Sequence, residues 1–202
     1  MTDHINNESL IKANKILKTT LEITEQIILD NKEIDIKKIF ERIGTELDIV
    51  KIFLLRFPML DSNYIEWIKP GFESTQNYKK NLFDNEHDNY DISQLLEWVY
   101  TGNVFCISID HYPTMFKVIV RTVNIEKYYK ILVPIIIKNK PWGIMGIGQV
   151  SDQPIDLLTE SSLVGLCKLI SLVIKQGEEK EKINAMIDQK IIEFKQRAKI
   201  KY

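Results

Sequence analysis

The stretch from Tyr129 to Val150, YKILVPIIIKNKPWGIMGIGQV, constrains the fold of this chain more than any other. It reads as two apolar strands, Ile131–Ile137 and Trp142–Val150, joined by the polar turn Lys138-Asn139-Lys140-Pro141. The runs are rich in Ile and Val, and the residues between them are those that turns favour. The rest of the chain has to supply what packs around that hairpin.

Upstream, residues 8–30 predict a helix with Leu10, Ala13, Leu17, Thr20, Leu21, Thr24, Ile27 and Ile28 at three- and four-residue steps. The stripe is narrow, as in a two-helix seam, and Asn31 closes it. A second helix follows, with Asp35 as N-cap and Ile34 and Ile39 as a hydrophobic staple. Ile36, Ile39, Phe40, Ile43 and Leu47 give it one apolar face, and Gly44 on that helix marks close packing. Ile49–Phe57 is β-branched, apolar and of strand length, and Pro58 ends it. Tyr64–Phe72 is the expected partner strand, whereas Glu73 to Tyr90 is polar and weakly patterned.

Asp91 to Gln94 is a capping-box variant opening a short helix over Ile92, Leu95, Leu96 and Val99, with Gly102 placed to end it. Val104–Asp110 is then a short strand, and Val123–Tyr128 a helical turn before the hairpin. After the hairpin, Thr159 is expected to cap a long helix whose Leu163, Leu166, Cys167, Ile170, Val173 and Ile174 face the core. Gly177 is expected to interrupt it. Beyond that point Ile183, Ile187, Ile191, Phe194 and Ala198 form a thin stripe among alternating charges, a helix that needs a partner.

Composition excludes several classes. With 202 residues, 45% of them apolar and 27% charged, the chain suits one domain with helical extensions. A net charge of −1 gives no global attraction to nucleic acid or an anionic membrane. No apolar run is expected to reach the length of a membrane span, and the polar N-terminus is not signal-like, so a cytoplasmic location is expected. Cys106 and Cys167 are too few and too far apart for a disulfide framework or a zinc site.

Four segments in this order resemble the GAF family of sensory modules. LLEWVYTGNVFCISID (95–110) is similar to its short helix ending in a glycine before the third strand. KILVPIII (130–137) is similar to its Val-Pro-Ile strand, and KNKPWGIMGIG (138–148) to its turn and small-residue-rich strand. LLTESSLVGLCKLISLVI (157–174) looks like its closing helix. The resemblance covers about residues 35–176, leaving 1–34 and 177–202 as dimerisation or signalling helices. It implies an α+β fold: an antiparallel sheet with helices on one face and a pocket on the other. Pro134 conflicts with a fully paired strand, so a bulge or an unpaired position is expected there.

The resemblance implies pocket-lining residues Trp67, Phe72, Trp98, Phe105, Ile107, Tyr112, Phe116 and Tyr129, although aromatic residues at strand and helix positions are usually core. It supplies no cofactor. Lys80 to Glu86 echoes the letters of the family's cyclic-nucleotide signature in the wrong order and before the middle helix. Cys106 and Cys167 lack the setting of a pigment-attaching cysteine, and neither matches the clustered loop cysteines of related methionine sulfoxide reductases. His111 reads as a lone exposed histidine rather than a haem ligand, and His87 as part of a solvated acidic loop rather than a metal site. The resulting expectation is a non-enzymatic sensory module. It would dimerise through its terminal helices, bind a small molecule, and feed a kinase, cyclase or DNA-binding output domain. The alternative is a dimerisation module whose pocket is filled by its own side chains.

Overall fold

A computed structural model describes residues 7–29, 35–58, 63–72, 92–108, 128–151 and 154–199. The element order is α1 (Asn7–Leu29), α2 (Ile36–Leu47), β1 (Lys51–Arg56), β2 (Tyr64–Ile68), α3 (Ile92–Thr101), β3 (Phe105–Ser108), β4 (Tyr128–Ile137), β5 (Lys140–Val150) and α4 (Leu157–Lys199). The strands form one antiparallel sheet in the order β2-β1-β5-β4-β3.

The central hairpin is tighter than its sequence suggests. Lys138 and Asn139 have φ of 52° and 59°, and two positive-φ residues make the two-residue turn whose twist suits a hairpin. Lys140 and Pro141 therefore belong to β5, opposite Ile137 and Ile136. A register shift falls between Ile135 and Ile136, one residue past Pro134. Pairing of β3 with β4 stops at Leu132, so among the described residues no strand lies outside β4 at Pro134, a setting that tolerates a missing N–H.

Alternation along the strands divides the core in two. Ile52, Leu54, Ile131, Val133, Met145 and Ile147 pack against α1, α2 and α4. Phe53, Leu55, Leu132 and Ile144 face the other way, against Leu95, Trp98 and Val99 of α3. On the helical side Asp35 caps α2 by accepting from the Lys38 N–H at 3.2 Å, and Asp48 ends the helix with φ of 55°. A Cβ on Gly44 would stand 1.9 Å from the Trp67 ring, so the glycine lets β2 press its tryptophan onto α2.

Three expectations are corrected. Asp156, not Thr159, opens α4: its carboxylate accepts from the N–H groups of Leu158 at 3.1 Å and Thr159 at 3.0 Å. Gly177 does not interrupt this helix, which runs unbroken to Lys199. The third concerns membrane length: α4 contains an 18-residue window of mean hydropathy 1.8, enough to cross a bilayer by length and composition. Half of that window is buried inside the fold, as in a core helix. Ile34, Asn31, Asp91, Glu73 to Tyr90 and Val123 to Lys127 lie outside the described residues.

The first helix is two-faced. Ala13, Ile16, Thr19, Thr20 and Ile23 are buried, whereas Leu10, Leu17, Leu21 and Ile28 of the expected stripe are exposed. Arg42 of α2 ties α1 down, donating to Glu22 at 3.1 Å and Gln26 at 2.7 Å on α1 and to Glu46 at 2.7 Å on α2. Thr19 donates to the same Glu46 at 2.9 Å.

Candidate functional site

The sheet face covered by α3 is where a ligand could meet the strands. Its two ends differ. Under α3 it is filled: Phe53 lies over Gly146, where a Cβ would come within 2.0 Å of the ring, and Trp98 packs edge-on against Phe105 at 5.6 Å. Phe53 also contacts Tyr64, with ring centroids 5.8 Å apart.

At the other end the same face turns polar. Glu66 of β2 accepts from Lys51 at 2.9 Å and from the Tyr64 hydroxyl at 2.8 Å. Lys51 and Lys130 both sit opposite Gly148, one on each side of it, so the residue between the two lysines has no side chain. Lys130 is fully buried and Lys51 nearly so, while Glu66 at the sheet edge keeps 39% of its side chain exposed.

The charges respond to this setting. Burial drives Lys130 well below the usual lysine range; the nearby Lys51 charge adds to the effect and Glu66 opposes it. Burial works to raise Glu66, but the charge and hydrogen bond of Lys51, the Tyr64 hydroxyl and the Lys130 charge outweigh it and leave Glu66 lowered. This polar floor escapes sequence reasoning because a single lysine inside an apolar strand looks like a solvent-facing residue. The only available signal is the two-residue alternation that puts Lys51 in phase with Phe53 and Leu55, and Lys130 with Leu132.

Of the residues expected to line a pocket, Trp98 and Phe105 stand together on this face. Trp67 does not: Tyr64 and Glu66 take the α3 side, so alternation sends Trp67 to the helical side, onto Gly44. Tyr129 is half-buried and shares the phase of Ile131, again the helical side. Phe72 follows β2, with the Lys69 ammonium 5.7 Å from its ring. Ile107 lies in β3 opposite Lys130, and its side chain is outside the described residues, as are Tyr112 and Phe116.

The cysteines offer no ready thiolate. Burial first, then the neighbouring Glu160 carboxylate, pushes Cys106 up to about 11, and complete burial raises Cys167 as well. Among the described residues no group of three or more His, Cys, Asp or Glu side chains could hold a metal ion. A separate groove of about 290 Å³ runs between Gly102, the Pro134–Ile137 end of β4, and Lys168 and Leu172 of α4.

No sequence-family model matches the chain, and no curated protein matches it. Solved structures do. The GAF domain of a phosphoenolpyruvate-protein phosphotransferase (ptsP) from Coxiella burnetii superposes with a TM-score of 0.55 at 18% identity, covering 84% of this chain and 97% of that one. The GAF domain of A. aeolicus nlh2 in an inactive state gives 0.53 at 14% identity, covering 82% and 98%. Bacteriophytochrome RpBphP3 from the photosynthetic bacterium R. palustris gives 0.55 at 13% identity, covering 89% of this chain and 41% of that longer one. Strand order, the helical layer and α3 over the opposite face thus define a GAF fold, an α+β architecture.

Proposed function

We propose that this chain is a regulatory sensory module of a signal-transduction system. It binds a small molecule on the α3 side of the sheet and transmits through α1 and α4, paired with a second copy in a helical bundle. A kinase, cyclase or DNA-binding domain receives the signal, on the same polypeptide or in trans. The module has no catalytic activity of its own and works in the cytoplasm.

The observation that carries the reading is the second half of α4. The helix packs on the sheet as far as Ile174, then continues with every residue from Glu179 to Ile192 exposed. Ile183, Met186, Ile187, Ile191 and Ile192 are among them, and Leu10, Leu17, Leu21 and Ile28 of α1 are exposed as well. At 43 residues α4 is about 65 Å long, well over the width of the sheet it packs on. An apolar seam exposed along a helical extension is what a helical partner would cover.

A second reading is a dimerisation module without a ligand. The packing of Phe53 over Gly146 and of Trp98 on Phe105 favours it, because those rings already fill the α3 end of the face. Native mass spectrometry, with native and denatured masses compared, separates the two. A dimer that releases a small-molecule mass on denaturation is the expected result. A clean dimer with no added mass across a metabolite panel favours the second reading, and a monomer overturns both.

A further inference from the structure

The transition between the two halves of α4 carries one specific contact. Among the described side chains Ile174 is the last fully buried one of the helix, and Gly177 follows three positions later. A glycine inside a helix weakens it by roughly 1 kcal/mol relative to alanine, so the helix is locally easiest to open there. Glu178, the next residue, reaches back to the sheet and pairs with Arg56. Both side chains are about four-fifths buried, at 22% and 23% exposure.

Arg56 is the last residue of β1, the strand that carries Lys51, Phe53 and Leu55 on the α3 side. Its own end is held firmly. It pairs with Gly143, where a Cβ would come within 2.5 Å of the Leu55 carbonyl oxygen, and the Phe57 N–H donates to the Trp142 carbonyl at 2.9 Å. The arginine therefore projects from a fixed point toward the place where the buried half of the helix gives way to the exposed extension. Here and farther along, α4 carries ion pairs within the helix, Lys175 to Glu179 at 3.5 Å and Lys190 to Glu193 at 3.4 Å.

We propose that the Arg56–Glu178 ion pair is a latch that sets the direction in which α4 leaves the domain, linking the end of β1 to the helical extension. Engaged, it bridges the glycine and makes the extension continuous with the packed half. Released, it lets the helix open or swing at Gly177 while the domain stays folded. Its use as a signalling step rests on the sensory reading above; the latch itself does not.

The test is hydrogen exchange on the full chain, comparing wild type with Arg56→Gln, Glu178→Gln and the double variant. Each single variant leaves a part-buried charge without its partner, which costs more than neutralising both. The expected result is about tenfold faster exchange at residues 176–182 in each single variant, the size of a charge-assisted hydrogen bond. Residues 160–173 keep wild-type protection. The double variant is no faster than either single one, since both remove the same contact. Unchanged exchange at 176–182, additive effects in the double variant, or loss of protection through 160–173 would each overturn the latch. A latch that behaves as expected in a protein that neither binds a ligand nor dimerises leaves the latch standing and removes its signalling role.

Discussion

The two faces of the sheet are built from the same strands on different principles. The helical face is mainly apolar: eighteen buried hydrophobic residues among those described form one continuous core. Among the described residues the α3 face is mixed, with seven buried apolar residues at one end and Lys51, Lys130 and Glu66 at the other. Buried charge is an expensive way to hold a fold together, and well-packed apolar residues often serve as well or better. The helical core is expected to supply most of the stability of the described part, while the α3 face retains polar groups that a folding core does not need.

The sharpest way to break this contrast is to empty the helical face. Phe40 is completely buried in it, and Phe40→Ala should cost about 3–5 kcal/mol in denaturant unfolding. A loss under about 1 kcal/mol would mean that the helical layer is not the main source of stability. Gly44→Ala tests the same layer by overfilling. The intrinsic helix preference favours alanine, yet the Trp67 ring occupies the space, so a net loss of about 1–3 kcal/mol is expected. Combining it with Trp67→Leu should recover part of that loss. Recovery would identify the ring as the cause, and no recovery would mean that the glycine is needed for another reason.

On the α3 face the distinguishing variable is pH. Because Lys130 has a lowered pKa when folded, the unfolded chain binds more protons between that value and 10.5, and stability rises with pH across the window. One such group contributes at most about 1.4 kcal/mol per pH unit. The difference between wild type and Lys130→Met should therefore slope with pH up to about 10.5, as measured by urea unfolding at a series of pH values. A flat difference would show that Lys130 titrates as an ordinary exposed lysine.

Much of the architecture was legible before any coordinates. The hairpin, the Asp35 cap, the end of α3 at Gly102 and the close packing at Gly44 depend on local chemistry, and local chemistry is written in adjacent residues. The face that a helix buries is less legible. Helix α1 carries two apolar stripes: Leu10, Leu17, Leu21 and Ile28 of the narrow seam stay exposed, and a second stripe packs inward. The smaller Ala13, Thr19 and Thr20 pack inward, where a close-lying neighbour helix leaves little room. The candidate site was the least legible part. Trp67 and Trp98 look equivalent as isolated aromatics, and only strand phase separates them. Lys51 and Lys130 acquire meaning only when three strands align them on either side of Gly148.

The most direct test of the account is the oligomeric state of the full chain against Ile183→Asp/Ile187→Asp, by sedimentation equilibrium at micromolar concentration. Both residues are more than half exposed on the extension, so the substitutions should move the unfolding midpoint of the domain very little. The account predicts a wild-type dimer, and a monomeric variant that unfolds at the wild-type midpoint. A monomeric wild type, or a variant that stays dimeric, would contradict it.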